Sequence, residues 1–185
     1  IKECDWSSDV CSSDLENAAS YGGGAMYSST NYYQELINNT VLGNEATYYG
    51  GGFYLYYAYM QFTNNILAYT GSGDGIYGSD SYSELYSDFL YNDFYLNSAT
   101  DRSGTLTFST SSNGNISSNP QFDSYSLDGD CDNDLLSLQS GSALIDAGYP
   151  AYLDVDGSIS DMGAYGGSGS SVTDADSDEI GRVHV

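Results

Sequence analysis

The sequence predicts an all-β fold, a right-handed parallel β-helix (solenoid) of about three to four turns with an irregular C-terminal capping segment. Three observations predict it. A tyrosine and glycine block recurs together with the block that follows it, the segments between are short and alternate rather than follow a helical period, and the pattern changes near Asn113.

Tyr21-Gly22-Gly23-Gly24-Ala25-Met26-Tyr27 recurs as Tyr49-Gly50-Gly51-Gly52-Phe53-Tyr54-Leu55, an offset of 28. Each copy is followed by a second block, Leu36-Ile37-Asn38-Asn39-Thr40-Val41-Leu42 and then Phe62-Thr63-Asn64-Asn65-Ile66-Leu67-Ala68, an offset of 26. Leu85-Tyr86-Ser87-Asp88-Phe89-Leu90-Tyr91, 23 further on, reads as a third copy. Units of this length without a 3.6-residue pattern wind one coil per repeat. Leucine-rich repeats share the length, but their fixed leucine spacing is missing.

One coil is a single strand deep in each wall and cannot bury its inner face, so stacking makes the core. Coils at the strand spacing of about 4.8 Å give a stack roughly 15–20 Å long. Alternation puts Leu36, Asn38 and Thr40 on one face and Ile37, Asn39 and Val41 on the other. Asn39, Asn65 and Asp88 correspond in this alignment and predict a structural ladder at a corner, with Asn39 and Asn65 joined by side-chain amides. The glycine triplets predict tight bends of positive φ or close approach of adjacent coils. A phosphate loop would need Gly-Lys-Ser/Thr and a helix start, and neither follows.

The only Trp (Trp6), Lys (Lys2) and His (His184) and two of the three cysteines (Cys4, Cys11) crowd into the two ends. Cys4 to Leu15 resembles the conceptual translation of a sequencing adapter. Glu179-Ile180-Gly181-Arg182-Val183-His184-Val185 differs by one base change from the opposite-strand reading of the codons for Asp9 to Leu15. Residues 1–15 and 179–185 are therefore expected to be adapter-derived and stand outside the fold. Cys4, Cys11 and His184 are then neither ligands nor disulfide partners, and Cys131 remains alone. A stack that starts at Glu16 is expected to expose an unpaired strand edge and to fold poorly without upstream coils.

The remainder holds Arg102 as its only cation against 21 acids, a net charge of −20, compared with −23 for the whole chain. Such a surface has nothing with which to displace counterions from nucleic acid phosphates, and it is repelled by anionic lipid. Disorder is opposed by 20 Tyr and 6 Phe, except in the acidic tail after Gly169. No apolar run approaches the length of a membrane-spanning helix.

From Asn113 the residues resemble the closing segment of bacterial β-helix surface proteins. Gly114-Asn115-Ile116-Ser117-Ser118-Asn119-Pro120-Gln121-Phe122 is similar to a "GNI..DPxF" element. Leu136 to Gly148 is similar to "L..GSPAIDAG", and Asp154 to Gly167 to "D.DG...D.GAYE". Asn119, Ala143 and Gly166 stand where Asp, Pro and Glu are usual. The set resembles polymorphic-outer-membrane-like proteins and the anchor-associated segment that ends many secreted β-helix chains. The resemblance implies coils over 16–112, a capping segment over 113–167 and a flexible acidic linker over 168–178. It also implies an extracellular or cell-surface location in a bacterium.

Asp128-Gly129-Asp130-Cys131-Asp132-Asn133-Asp134 places the carboxylates of Asp128, Asp130, Asp132 and Asp134 at alternate positions, the hard oxygen ligands that Ca²⁺ prefers. It is no EF-hand, because Asn133 stands where that loop needs glycine. A solvated acidic loop is the alternative. Asp146, Asp154, Asp156 and Asp161 are expected to cap turns by accepting main-chain N–H groups.

The function expected is a noncatalytic secreted or cell-surface module, adhesin-like or a passenger, that contacts a neutral glycan or a surface protein. Tyr54, Tyr56, Tyr57 and Tyr59 are the candidates for stacking on sugar, with ordinary strand packing as the alternative. The rival is a polysaccharide-active enzyme, a lyase, hydrolase or epimerase, with catalytic coils partly upstream. A lyase needs a base and positive charge to hold uronate, and only Arg102 is available. Hydrolysis needs converging carboxylates, for which Asp74, Asp80, Asp88, Asp93 and Asp101 are present.

Overall fold

The computed structural model describes residues 13–29, 33–128 and 133–169. A partial first coil carries β1 (Ser13–Leu15) and β2 (Ala18–Ala19). The next carries β3 (Met26–Ser29), β4 (Tyr33–Ile37), β5 (Thr40–Leu42) and β6 (Glu45–Ala46), and it is followed by β7 (Phe53–Tyr56), β8 (Tyr59–Thr63) and β9 (Ile66–Ala68). The coil after that holds β10 (Ile76–Gly78), the short helix α1 (Ser81–Tyr86), β11 (Asp88–Leu90) and β12 (Asp93–Tyr95), and β13 (Arg102–Gly104) opens a last partial coil.

The strands of successive coils pair in parallel into three walls: sheet A (β1-β5-β9-β12), sheet B (β3-β7-β10-β13) and sheet C (β4-β8-β11). The chain is thus a parallel β-solenoid of about three turns, nearly all β. β1 lies inside the segment read as adapter-derived, and its Ser13–Leu15 pairs with Thr40–Leu42. The rest of that segment, residues 179–185 and most of 168–178 fall outside the described residues.

Register shifts the tyrosine and glycine blocks by one residue, since Gly22 bridges to Tyr49 and Met26 pairs with Phe53 rather than with Tyr54. It also corrects the third repeat. Phe62 pairs with Phe89 and Ile66 with Asp93, so the true copy is Phe89-Leu90-Tyr91-Asn92-Asp93-Phe94-Tyr95. The connection from β9 to β10 is shorter than that from β5 to β7, and α1, inserted before β11, makes up the difference. Those compensating changes hid the alignment.

The face assignment across Asn38 and Asn39 is also corrected, because the strand ends at Ile37 and the corner resets the alternation. Leu36 and Val41 both face the interior core of Phe53, Leu55, Met60, Phe62, Leu67, Ile76, Phe89, Phe94 and Leu106. Large apolar side chains meet both within a coil, where Phe62 packs edge-on against Phe53 at 5.3 Å, and between coils, where Phe62 meets Phe89 at 6.0 Å. Burial of a phenylalanine contributes about 1.5–3 kcal/mol.

Residues after β13 close the far end of that core. Phe108 stacks on Phe89 at 3.8 Å, and Arg102 spans the closure, its guanidinium 5.6 Å from the Phe108 ring and bonded to the carbonyls of Leu106 and Phe108.

The segment from about 113 lies along the outside of sheet A. Phe122, Leu136, Leu138, Leu144 and Met162 form a second core there with Leu42, Ile66 and Ala68. Covered on both sides, β5 and β9 are buried at every residue. β14 (Phe122–Ser124) and β15 (Leu135–Leu138) pair as an antiparallel hairpin within this flank. Three coils anchor it. Gly163 N–H donates to Asn64 O at 2.7 Å, Ala164 N–H to Thr40 Oγ1 at 2.9 Å, and Tyr149 packs edge-on against Tyr91 at 5.3 Å.

Candidate functional site

The corner between sheets C and A holds a column of asparagines. The main-chain N–H of Asn39 donates to Asn65 Oδ1 at 2.8 Å, that of Asn65 to Asn92 Oδ1 at 2.8 Å, and that of Asn92 to Asn115 Oδ1 at 2.9 Å. Each Nδ2 donates to the next Oδ1 and back to main-chain carbonyls, so Asn65 Nδ2 reaches Leu36 O and Thr63 O. The residue before each of the first three rungs has positive φ: Asn38 at 56°, Asn64 at 57° and Tyr91 at 54°. That bend removes main-chain groups from the strand ladders, and the asparagine side chains satisfy them. Asp88 is not a rung. It pairs with Gln61 in sheet C, on an exposed position, and Asn92 takes the place expected of it.

The glycine triplets serve in both of the expected ways. Gly23 and Gly50 have φ of 71° and 55°, and a Cβ on Gly24 would lie 2.2 Å from Gly51 O in the next coil.

Three of the four acids of the flank, Asp154, Asp156 and Asp161, accept main-chain N–H groups at its turns. Asp154 accepts the N–H groups of Asp161 and Gly167, Asp161 accepts that of Asp146 at 2.8 Å, and Asp156 accepts that of Ser158 at 2.8 Å. Asp146 enters through its own N–H, with φ of 54°.

The candidate Ca²⁺ segment falls in the chain between β14 and β15. Asp130 and Asp132 lie outside the described residues. Asp128 accepts from Asn133 Nδ2 at 3.1 Å, and Asp134 accepts from Ser126 N–H at 2.9 Å. Among the described residues, no three His, Cys, Asp or Glu side chains are grouped to hold a metal ion.

Most of the acids considered for hydrolysis are bound locally. Asp74 accepts from the hydroxyls of Thr100 and Ser103, and Asp101 accepts from Asn97 Nδ2 at 3.0 Å. Asp80 caps α1 through Tyr82 N–H and Ser83 N–H and also holds Tyr57 N–H at 2.7 Å. Burial alone would raise its carboxyl, but these bonds outweigh it and leave the carboxyl below its ordinary value. Asp93 is sealed inside.

The tyrosines divide between two faces. On sheet B, Tyr27, Tyr54 and Tyr77 stack ring on ring at 4.9 and 5.3 Å, and burial pushes the Tyr54 hydroxyl up to about 12. Tyr54 is 6% exposed and offers no free ring face to a ligand.

The outer face of sheet C is different. Alternation turns Tyr33, Glu35, Tyr59, Gln61 and Asp88 outward, while Met60, Phe62 and Phe89 point in. Tyr33, Tyr59 and Tyr82 form a row with centroid spacings of 5.5 and 5.8 Å. Beside it runs the column Glu35, Gln61, Asp88, one coil apart in register. The Tyr33 hydroxyl lies 2.7 Å from Gln61 Oε1 and 3.0 Å from Glu35 Oε1, and Gln61 Nε2 is 3.5 Å from the Tyr152 hydroxyl of the flank. Lost hydration, then the bond to Glu35 and the charges of Glu35 and Asp88, raise the Tyr33 hydroxyl above its ordinary value. Tyr56 and Tyr57, 41% and 49% exposed, meet edge-on at the rim.

Aromatic rings beside an amide, hydroxyls and carboxylates can meet both the apolar and the hydroxyl faces of a sugar. Tyr33, Gln61 and Tyr152 were missed by the sequence reading. Extending the offset of 26 from Leu36–Phe62 back to Tyr33–Tyr59 would have found the first. No protein-family model, curated protein or solved structure matches this chain.

Proposed function

We propose that this chain is a noncatalytic module of a bacterial secreted or cell-surface protein, adhesin-like or a passenger, which holds a neutral glycan on the outer face of sheet C. The observation that carries the reading is the tyrosine row beside the Glu35–Gln61–Asp88 column, with Tyr33 about half exposed. The net charge of −23 argues for a neutral ligand, because an anionic polymer is repelled at long range. The resemblance of residues 113–167 to surface-protein segments supports the location.

Affinity electrophoresis in gels containing neutral or uronic polysaccharides tests it. A neutral polymer should retard the chain, and Tyr33→Ala with Gln61→Ala should abolish the retardation. Retardation unchanged by that pair removes sheet C from the reading.

A polysaccharide hydrolase is the second reading. Glu35 and Asp88 stand two coils apart, about 9–10 Å at ordinary strand spacing, close to the separation that inverting enzymes use. Polymer turnover lost in Glu35→Gln or Asp88→Asn would establish it in place of the first.

A further inference from the structure

Asp93 opens β12 between Ile66 in the coil before and Ile116 in the residues after. Its neighbour Phe94 fills the interior core and Ile66 the outer one, so Asp93 points into the seam between sheet A and the flank. The residue is fully buried. Oδ1 accepts the N–H of Ser118, two residues past Ile116 where the flank begins, at 2.8 Å. Oδ2 is buried with no hydrogen-bond partner. Structural carboxylates elsewhere in the chain, such as Asp80 and Asp154, use both oxygens.

The groups that act on Asp93 come from each element around it. Asp101, in the connection to β13, adds negative charge, and Tyr69 and Tyr95 lie on the sheet A side. Tyr125 of the flank stacks on Tyr69 at 5.6 Å, with Glu16 and Asp134 acting on it in turn. Burial pushes the Asp93 carboxyl up to about 8, the Ser118 amide pulls it back, and Asp101 pushes further. Tyr69 and Tyr125 are both raised above 10 by burial, so neither titrates in that range.

We propose that Asp93 is a proton-operated latch between the stack and its flank. With a neutral carboxyl it holds Ser118 and the following residues against sheet A. When the carboxyl ionises, one amide cannot replace a hydration shell, and water enters as residues 116–128 lift. The sign follows from linkage. The folded chain keeps a proton that the unfolded chain releases near pH 4, so stability falls as pH rises from there to about 8.

Hydrogen exchange on the full chain at pH 6.5 and 9.0, corrected for the intrinsic rate, tests the latch. Protection over 116–128 should fall roughly tenfold or more at the higher pH, while β8 and β9 keep theirs, and Asp93→Asn should remove the difference. Constant protection, an unchanged response in Asp93→Asn, or loss across stack and flank together would overturn it. If the variant fails to fold, the carboxyl ¹³C shift of Asp93 in the unaltered chain decides. A midpoint near 8 is expected, and one below 6 refutes the latch.

Discussion

Replacing Asn65 by alanine tests the asparagine column at a wholly buried rung. Asn65 is wholly buried, and its side chain serves three main-chain groups: it accepts the Asn39 N–H and donates to Leu36 O and Thr63 O. Each buried main-chain group left without a partner costs about 1–3 kcal/mol. Water entering beside the half-buried Asn39 recovers part of this, so the expected loss is about 3–5 kcal/mol. Asn65 also donates its own N–H to Asn92 Oδ1, and that bond survives the substitution. The control is Asp88→Ala, on an exposed position of sheet C, which should cost no more than ~0.5 kcal/mol. Urea unfolding followed by tyrosine fluorescence, with the slope checked for constancy, reads both. Equal midpoints for the two variants would show that the column does not carry the corners.

Asp80→Ala removes the cap of α1 and the anchor of Tyr57, and should lower stability by about 1–2 kcal/mol at neutral pH. Because the folded carboxyl lies below its ordinary value, the contribution is present above the ordinary value and disappears as pH falls through the lower one. The variant and the parent should therefore converge in acid, and parallel urea titrations at pH 7 and pH 3 check this. Gly24→Ala sets a methyl 2.2 Å from Gly51 O and 2.6 Å from Glu45 O, both main-chain atoms that no side-chain rotation can relieve. It should cost at least ~2 kcal/mol by thermal unfolding, and a neutral result would mean that the coils are spaced more loosely there.

Much of the solenoid was legible because stacking forces repetition. The blocks at Leu36 and Phe62 mark a true coil-to-coil pair, since equivalent positions sit on one another and face the same demand, whereas the blocks at Tyr21 and Tyr49 mark the right coils one residue out of register, with Gly22 on Tyr49 and Met26 on Phe53. The third coil was misread for a local reason. It trades length between two connections, so the offset of 23 that holds from Phe53 to Ile76 reaches only Leu85 when carried to Phe62, four residues short of Phe89. Thr70 shows the same limit. It stands one coil above Asn44 and gives its N–H to Asn97 Oδ1, so a second column hides behind a change of residue type. The flank was visible as a change of pattern, but its place beside sheet A was not. Phe122, Leu144 and Met162 reveal an apolar surface without naming the one they meet.

The three walls share one interior and differ outside, which narrows where a ligand can sit. Every coil must fill the same core, so the inward positions of sheets A, B and C are fixed by packing. Sheet A spends its outward positions on the flank, and Leu42, Ile66 and Ala68 are lost to solvent. Sheet B spends its own on rings that cover one another's faces, with Tyr54 held between Tyr27 and Tyr77. A sugar ring stacks on an aromatic face, and a column already stacked face to face has spent those surfaces on itself. Sheet C alternates tyrosine with Glu35, Gln61 and Asp88, and its rings meet at 40° and 67°, so ring surface and hydrogen-bonding groups stay open side by side. By that argument, substitutions at Tyr27 or Tyr77 should change stability more than ligand binding. Substitutions at Tyr33 or Gln61 should do the reverse, and the two sets measured together separate a binding face from a structural one.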